Sequence, residues 1–378
     1  MSKNKNSPLG KSPLDLVRSN AVPIMFIAIC AVFIPMSGFS SGYLLNEIVT
    51  RMGRNLFLVL CLLFPIMAGM GLNFAMTLGA MGAEIAIILV ADWQIWGIPG
   101  VVLAMILSIP FSALLGWFCG TIMNMAKGRE MITGYILNFF VGNGLYQLVV
   151  LYIMGSIIPI IHSSIMLPRG YGIRVTVSLL NMRQCLDDLL AIRVGGVKIP
   201  VLTFLLIALL CLFIVWFRRT KLGQDMRAVG QDMQVAQDAG INVNRTRILS
   251  IVMSTVFAGF GMVIYLQNIG NLPTYTGHAQ IGMFCIAALL VGGASVEKAS
   301  IGNAFLGVIL FHLMFIVAPS AGGVITGDTM VGEYFRVFLS YGVITVALIM
   351  YEAKKRMAKS RTGRELAEAQ AQPGKEAV

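Results

Sequence analysis

The charged residues of this chain fall in clusters, and the gaps between clusters restrict what the chain can become. No Asp, Glu, Lys or Arg occurs in 19–46, 55–83, 93–126, 131–168, 199–217, 248–296 or 299–327. A helix that crosses roughly 30 Å of hydrocarbon needs about 20 mainly apolar residues, and the 248–296 window has room for two. Of the 378 residues, 12% are charged and 57% hydrophobic, whereas about a quarter of an average soluble domain is charged. Too few ionic groups remain to cover the surface of a soluble enzyme. A disordered chain is excluded by its defining low hydrophobicity. A large soluble protein with many buried core helices would need amphipathic helices to cover them, and the pattern supplies none.

The sequence therefore predicts an all-α, polytopic membrane protein. Ten spans are expected, at 21–38, 55–73, 76–92, 98–124, 131–155, 199–217, 247–267, 279–295, 300–318 and 335–351. Gly69, Gly71 and Asn73 lie between the second and third spans and mark a broken or tightly turned helix. An even count puts both termini on one side. That side receives 20 of the 28 Lys and Arg residues: the 1–20 tail, Lys127, Arg129, the 218–247 segment, Lys298 and the tail from Lys354 onward. By the positive-inside rule this side is cytoplasmic. The formal charge of +11 is then mostly a topology signal. The basic face with interleaved aromatics that nucleic-acid binding requires is absent. The first span is too long for a cleavable signal peptide, and the charged stretch before it reads as a cytoplasmic tail. The 352–378 tail reads as a solvated topogenic segment, and the domain organisation is a single 21–351 membrane domain between two tails.

Catalytic chemistry finds little support. Cys30, Cys61, Cys119, Cys211 and Cys285 sit in apolar spans and Cys185 in the 156–198 loop, with no CxxC pair and no Cys/His spacing suited to a metal. His162, His278 and His312 are not spaced as ligands; His312, inside a span, is expected to be a hydrogen-bonded neutral core imidazole. Gly10-Lys11-Ser12 resembles the end of a phosphate-binding loop, but position 5 is Lys and no strand precedes it. No cofactor or metal is expected. Energy for transport must come from an ion gradient or from a partner, and acids within spans separate these options. Only Glu84 lies mid-span; Asp92 lies at a span end. A single acid suits pairing or the lining of a polar pathway better than ion coupling.

The most informative stretch is 218–247, RRTKLGQDMRAVGQDMQVAQDAGINVNRTR. It is too polar for the bilayer and too long for a simple turn. It reads as a helix over Leu222–Val229 closed by Gly230, then a second helix with Asp232 as N-cap and Gly240 at the C′ position. A short helix of small residues held between two spans suits docking into a partner's groove. A structured loop on the membrane surface is the alternative from physics alone.

These residues resemble the cytoplasmic coupling segment of ABC-importer permeases serving simple sugars, nucleosides and branched-chain amino acids. The pattern is carried by Gly223, Arg227, Ala228, Gly230, Ala236, Ala239, Gly240 and Ile241, with Asp232 in the capping position. Gly128-Arg-Glu-Met-Ile-Thr-Gly-Tyr-Ile-Leu-Asn-Phe is similar to the cytoplasmic entrance of the fifth span in the sugar and nucleoside subgroup. Ile286-Ala-Ala-Leu-Leu-Val-Gly-Gly-Ala-Ser is similar to the family's apolar run ending in Gly-Gly. The stretch Gly71-Leu-Asn-Phe-Ala-Met-Thr-Leu-Gly departs from the subgroup pattern, keeping only an Asn and a glycine rhythm.

The resemblance implies a type II-like importer permease that hydrolyses no ATP itself. It implies an ABC ATPase subunit, an extracytoplasmic substrate-binding protein and a second permease, identical or homologous, in the inner membrane. Arg227, Asp232, Val235, Ala236, Ala239 and Gly240 would form the ATPase-coupling element. Asn73, Phe74, Thr77, Glu84, Thr133, Asn138 and Asn143 are the candidate pathway residues, although polar residues in membranes also serve helix–helix contacts. Asn181–Ile192 reads as an interfacial amphipathic helix in the 156–198 loop, which would form a binding-protein platform or a lid. Gly116 and Gly120 read as a close helix-packing motif. The expected cargo is a simple sugar or nucleoside. A branched-chain amino acid is the alternative within the class, and an ion-coupled carrier using Glu84 the alternative outside it.

Overall fold

The computed structural model describes residues 21–157, 160, 165–167, 172–328, 330–338, 341–342, 345–346 and 349. Both tails, His162, part of the 156–198 loop and part of the last expected span lie outside these residues. The described chain is a bundle of apolar helices with two small β-elements at one end. Five helical stretches are long and apolar enough to cross a bilayer: Ser41–Met67, Phe74–Asp92, Gly97–Met125, Val243–Ile269 and Ile301–Thr326. Val201–Phe217 and Lys221–Gln231, bent by 74°, make a sixth if taken as one span. Val22–Ser37 and Ile281–Val291 are apolar but shorter. The polytopic all-α architecture is therefore present, while long helices account for only part of the expected ten spans.

Helices are numbered here in chain order: α1 (Ala21–Ser37), α2 (Ser41–Cys61), α3 (Leu63–Met67), α4 (Thr77–Asp92) and α5 (Gly97–Met125). There follow α6 (Glu130–Phe140), α7 (Cys185–Leu189), α8 (Val201–Phe217), α9 (Lys221–Gln231) and α10 (Met233–Asp238). The series ends with α11 (Val243–Ile269), α12 (Ile281–Val291) and α13 (Ile301–Thr326). The second span differs most from expectation. It begins at Ser41, where Ser40 accepts a hydrogen bond from Tyr43 N, and not near residue 55. The charge-free window missed the first turns because they hold Glu47, Arg51 and Arg54. Glu47 pairs with Arg51 one turn away at 3.3 Å, and the Arg54 guanidinium lies over the Tyr265 ring, a cation–π contact. At about 1.5 Å per residue α12 is too short to span a bilayer alone. The segments that flank it bury Thr274, His278 and Val296, and irregular backbone is tolerated at depth where protein surrounds it.

The centre of the bundle is α4, buried along nearly its whole length. Its small residues allow two other helices to approach at backbone distance. A Cβ on Gly79 would lie 2.0 Å from the Thr255 carbonyl oxygen of α11, and one on Gly82 would lie 2.5 Å from Ser112 Oγ of α5. Ser112 Oγ donates to Gly79 O at 3.0 Å. The Gly116–Gly120 motif performs the packing expected of it: Gly116 meets Thr255 and Gly120 meets Ile248 and Ile251, all on α11. On the other flank, α13 packs against α1 and α2.

One end of the bundle carries Lys127, Arg129, Arg218, Arg219, Arg227 and Lys298, and is called the basic end below. At the opposite end, β1 (Thr176–Ser178) pairs antiparallel with β4 (Asn271–Pro273). There β2 (Ala191–Val194) and β3 (Val197–Pro200) form a hairpin closed by Gly195 and Gly196, both at positive φ, as a two-residue turn of this kind demands. The amphipathic helix expected over Asn181–Ile192 does not form. Gln184 takes a left-handed conformation (φ 55°), which limits the helix to Cys185–Leu189, and Ala191 already belongs to β2. Asp187 of this short helix is buried and accepts from Thr203 Oγ1 at 2.5 Å, Gln267 Nε2 at 3.1 Å and Asn268 Nδ2 at 2.7 Å.

Gly79→Val should lower stability by at least about 1–3 kcal/mol, the usual cost of overpacking, because its neighbour is a fixed backbone carbonyl. Gly42→Ala, with nothing within 4 Å of the added carbon, should not. Thermal unfolding of the two purified variants checks the contrast.

Candidate functional site

Four of the pathway candidates meet at the break between the second and third spans. After α3 the chain turns through Gly69 and Gly71, both at positive φ, and restarts with a tight turn at Phe74–Met76. Asn73 caps that turn by accepting from Ala75 N at 3.1 Å and donates to Ser254 Oγ of α11 at 3.3 Å. The Thr77 hydroxyl donates to Asn138 Oδ1 of α6, and the Phe74 ring meets Tyr135 of α6 edge-on at 5.8 Å. Asn73, Phe74, Thr77 and Asn138 thus form one uncharged polar cluster with aromatic surface. Thr133 and Asn143 are not part of it. The Thr133 hydroxyl donates to Arg129 O of its own helical turn, and Asn143 is exposed beyond α6.

Glu84 occupies a separate site. Its carboxylate lies 2.9 Å from His278 Nδ1, and the His278 ring meets Tyr146 edge-on at 4.7 Å. Tyr146 donates to Thr274 O at 3.0 Å. All four residues are buried. Pairing, one of the two roles expected for Glu84, is therefore made with a histidine 194 residues away in the chain. Neither His278 nor Tyr146 was a sequence candidate. Tyr146 is set by a local widening of the α6 continuation to i→i+5 winding over Val141–Tyr146, which no periodicity announces. His312, expected as the core imidazole, stands between Phe311 and Phe315, and its Nδ1 has no partner among the described residues.

The polar segment at the basic end is two helices, as expected, with a different role for one glycine. Thr220 caps α9, which runs through Gly230 to Gln231. Gly230 does not close the helix. A Cβ there would lie 2.3 Å from Met67 O, and one on Gly69 would lie 2.8 Å from the Gly230 Cα. This glycine seats α9 against the break in the second span. Asp232 caps α10, accepting from Gln234 N at 2.8 Å and Val235 N at 3.1 Å. At the other end Gly240 (φ 82°) donates to Gln237 O and Ile241 N donates to Ala236 O, the paired bonds of a Schellman closure. Ala236 is the buried residue of α10, packed among Val229, Val243 and Ile241. Met233, Val235 and Ala239 are exposed, and so is Arg227.

An ion pair invisible to local pattern fixes this segment to the bundle. Arg247, at the start of α11 and almost completely buried, pairs with Glu130, the first residue of α6, and its other terminal nitrogen donates to Met233 Sδ at 3.0 Å. One guanidinium therefore ties together α6, α11 and the first residue of α10. Both charges sit at the edges of charge-free windows, and the sequence separation of 117 hides their pairing.

Residues 44–351 match the family described as branched-chain amino acid transport system / permease component. The chain belongs to this permease family. Its curated relatives include the nucleoside ABC transporter permease protein NupB of Lactococcus lactis, 25% identical over 261 residues, which are 67% of this chain and 63% of that protein. The autoinducer 2 import system permease protein LsrC of Klebsiella pneumoniae is 29% identical over 41% of this chain and 43% of its own length. The xylose transport system permease protein XylH of Haemophilus influenzae is 28% identical over 43% and 40%. The chain thus spans just under two thirds of the first of these relatives and less than half of the other two. No solved structure matches it significantly.

Glu130→Gln should cost about 3–5 kcal/mol, because it leaves a buried guanidinium without its counter-charge. The double variant Glu130→Gln/Arg247→Met should recover much of that loss. A double-mutant cycle on thermal unfolding checks it.

Proposed function

We propose that this protein is the membrane-spanning subunit of an ATP-driven ABC importer, moving a simple sugar or nucleoside delivered by an extracytoplasmic binding protein. The observation that carries the reading is α10. It is capped by Asp232, closed at Gly240, anchored by Ala236 and Met233, and turns Val235 and Ala239 outward at the basic end. A rigid short helix with a small apolar outer face suits seating in a groove of a partner. The basic end is then cytoplasmic by the positive-inside rule, both termini lie on that side, and α10 couples to a separate ATPase subunit. A second permease copy or homologue completes the pore in the bacterial inner membrane. The anchored β2–β3 hairpin and α7 at the opposite end, held by Asp187, form a platform for the binding protein.

The cargo class is supported by the nucleoside, autoinducer 2 and xylose named for the relatives. The cluster of Asn73, Thr77 and Asn138 with Phe74 and Tyr135 has the required chemistry: uncharged hydrogen-bonding groups beside aromatic faces, with no ion to match an amino acid's charges. An ion-coupled carrier would need Glu84 to be reachable, whereas its carboxylate is wholly buried against His278.

Val235→Asp and Ala239→Asp should abolish retention of the ATPase and uptake, with unchanged thermal stability. Ala236→Asp should instead unfold the segment, since it places a charge in a closed apolar contact. Pull-down of the ATPase with a parallel unfolding measurement separates the two effects. Uptake that persists without any ATPase and collapses with the proton gradient would overturn the proposal. Asn138→Leu should cut uptake about tenfold or more by removing a hydrogen-bonding group from the path, while leaving ATPase retention intact; reconstituted uptake of xylose and of uridine reads this.

A further inference from the structure

A cavity of about 820 Å³ opens at the basic end between the broken second span, the start of α6, α9 and the loop before α13. Arg129, Arg218, Arg227 and Lys298 contribute to its wall. Their side chains make no hydrogen bond or ion pair among the described residues. Two acids also line the cavity, Glu130 and Glu297. Glu130 is already neutralised by Arg247, so the four cations face one free carboxylate. Like charges gathered around a concavity repel one another and raise the local anion concentration. The wall also contains Arg129–Ile132, the opening of α6, where the N-cap residue Arg129 gives no side-chain cap. The first-turn N–H groups are left for a ligand or water, in the arrangement that favours phosphate.

We propose that this cavity binds a phosphate ester, held by Arg129, Arg218, Arg227 and Lys298 over the start of α6. Guanidinium groups suit phosphate oxygens through paired hydrogen bonds. The volume is that of a small-molecule pocket, which favours a compact anion over an acidic protein segment. The anion can be a soluble phosphorylated metabolite or the headgroup of an acidic phospholipid. Either would bridge α6, α9 and the 292–300 loop, and so bear directly on the segment that carries α10. The site rests on the geometry of the chain and not on the transport reading, so its test does not require transport.

The purified full chain, with any subunits that accompany it, is placed in phosphatidylcholine nanodiscs and titrated calorimetrically with ribose 5-phosphate and with inorganic pyrophosphate. A second set of discs contains phosphatidylglycerol. Saturable binding of one phosphate compound per chain that is equal in both sets of discs identifies a soluble ligand. Binding in the first discs that phosphatidylglycerol suppresses in the second identifies the lipid headgroup as the occupant. Arg129→Gln/Lys298→Gln should weaken binding by about tenfold or more, the effect of lost charge-assisted hydrogen bonds. Lys221→Gln, at the same end but outside the cavity wall, should not. Both variants alter exposed residues, and matching unfolding midpoints show that the fold is intact. No saturable binding in the phosphatidylcholine discs, or equal binding by the double variant, overturns the proposal. So does loss of ATPase retention in the double variant without any phosphate binding, which would assign the cations to a protein partner.

Discussion

The close crossing of α4, α5 and α11 is the contact on which the other features depend. Helices in a bilayer gain nothing from hiding apolar side chains from lipid, so association relies on van der Waals packing and polar contacts. Here the packing is made at backbone distance. Gly79 lies against the Thr255 carbonyl, Gly82 against Ser112, and Gly116 against the Thr255 side chain. A side chain at Gly79 would push α4 away from α11, one at Gly82 would push α4 away from α5, and one at Gly116 would push α5 away from α11. Ser254, adjacent to Thr255, would then withdraw from Asn73. The polar cluster exists because three glycines set the spacing of the helices around it.

A second glycine contact connects that cluster to the basic end. Gly230 of α9 touches the Met67–Gly69 turn, and four residues beyond Gly69 lies Asn73. Arg247 gives a parallel connection, from Met233 of α10 to Glu130 at the start of α6, the helix that carries Tyr135 and Asn138. α10 is therefore connected to both walls of the polar cluster through two short chains of contacts. One path is a backbone contact that cannot compress and the other a buried ion pair that is costly to break. A short helix at the end of a long flexible linker would have neither.

Much of this was legible in the sequence, and the parts that were not share a cause. The apolar windows, the broken second span, Asp232 as a cap, Gly240 as a stop and Gly116–Gly120 as a packing motif are all local patterns. Each follows from the preferences of a few neighbouring residues. Misreadings arose where tertiary contacts override local pattern. Gly230 reads as a helix stop, yet α9 passes through it because Gly69 needs the space. Ser41–Arg54 reads as a loop because it holds charges, yet Glu47 and Tyr265 offset them. Asn181–Ile192 reads as one helix, yet left-handed Gln184 and the strand that starts at Ala191 confine it to five residues, whose Asp187 is held by two distant helices. Glu84 was visible as a lone acid; its partner was not, because 194 residues separate the two.

The buried polar nodes also explain how an almost uniformly apolar chain specifies one arrangement. Helices such as α8 and α13 are hydrophobic on all sides, and sliding or rotating one of them exchanges one apolar contact for another at little cost. A buried charge does not tolerate such exchange, because losing its partner costs several kcal/mol. The three nodes stand where packing alone is weakest. Glu84–His278 pins the irregular stretch before the short α12. Glu130–Arg247 pins the start of α6 against α11 and the first residue of α10. Asp187 pins the five-residue α7 to α8 and the end of α11. The few charges inside this protein thus fix the registers that its many apolar residues leave open.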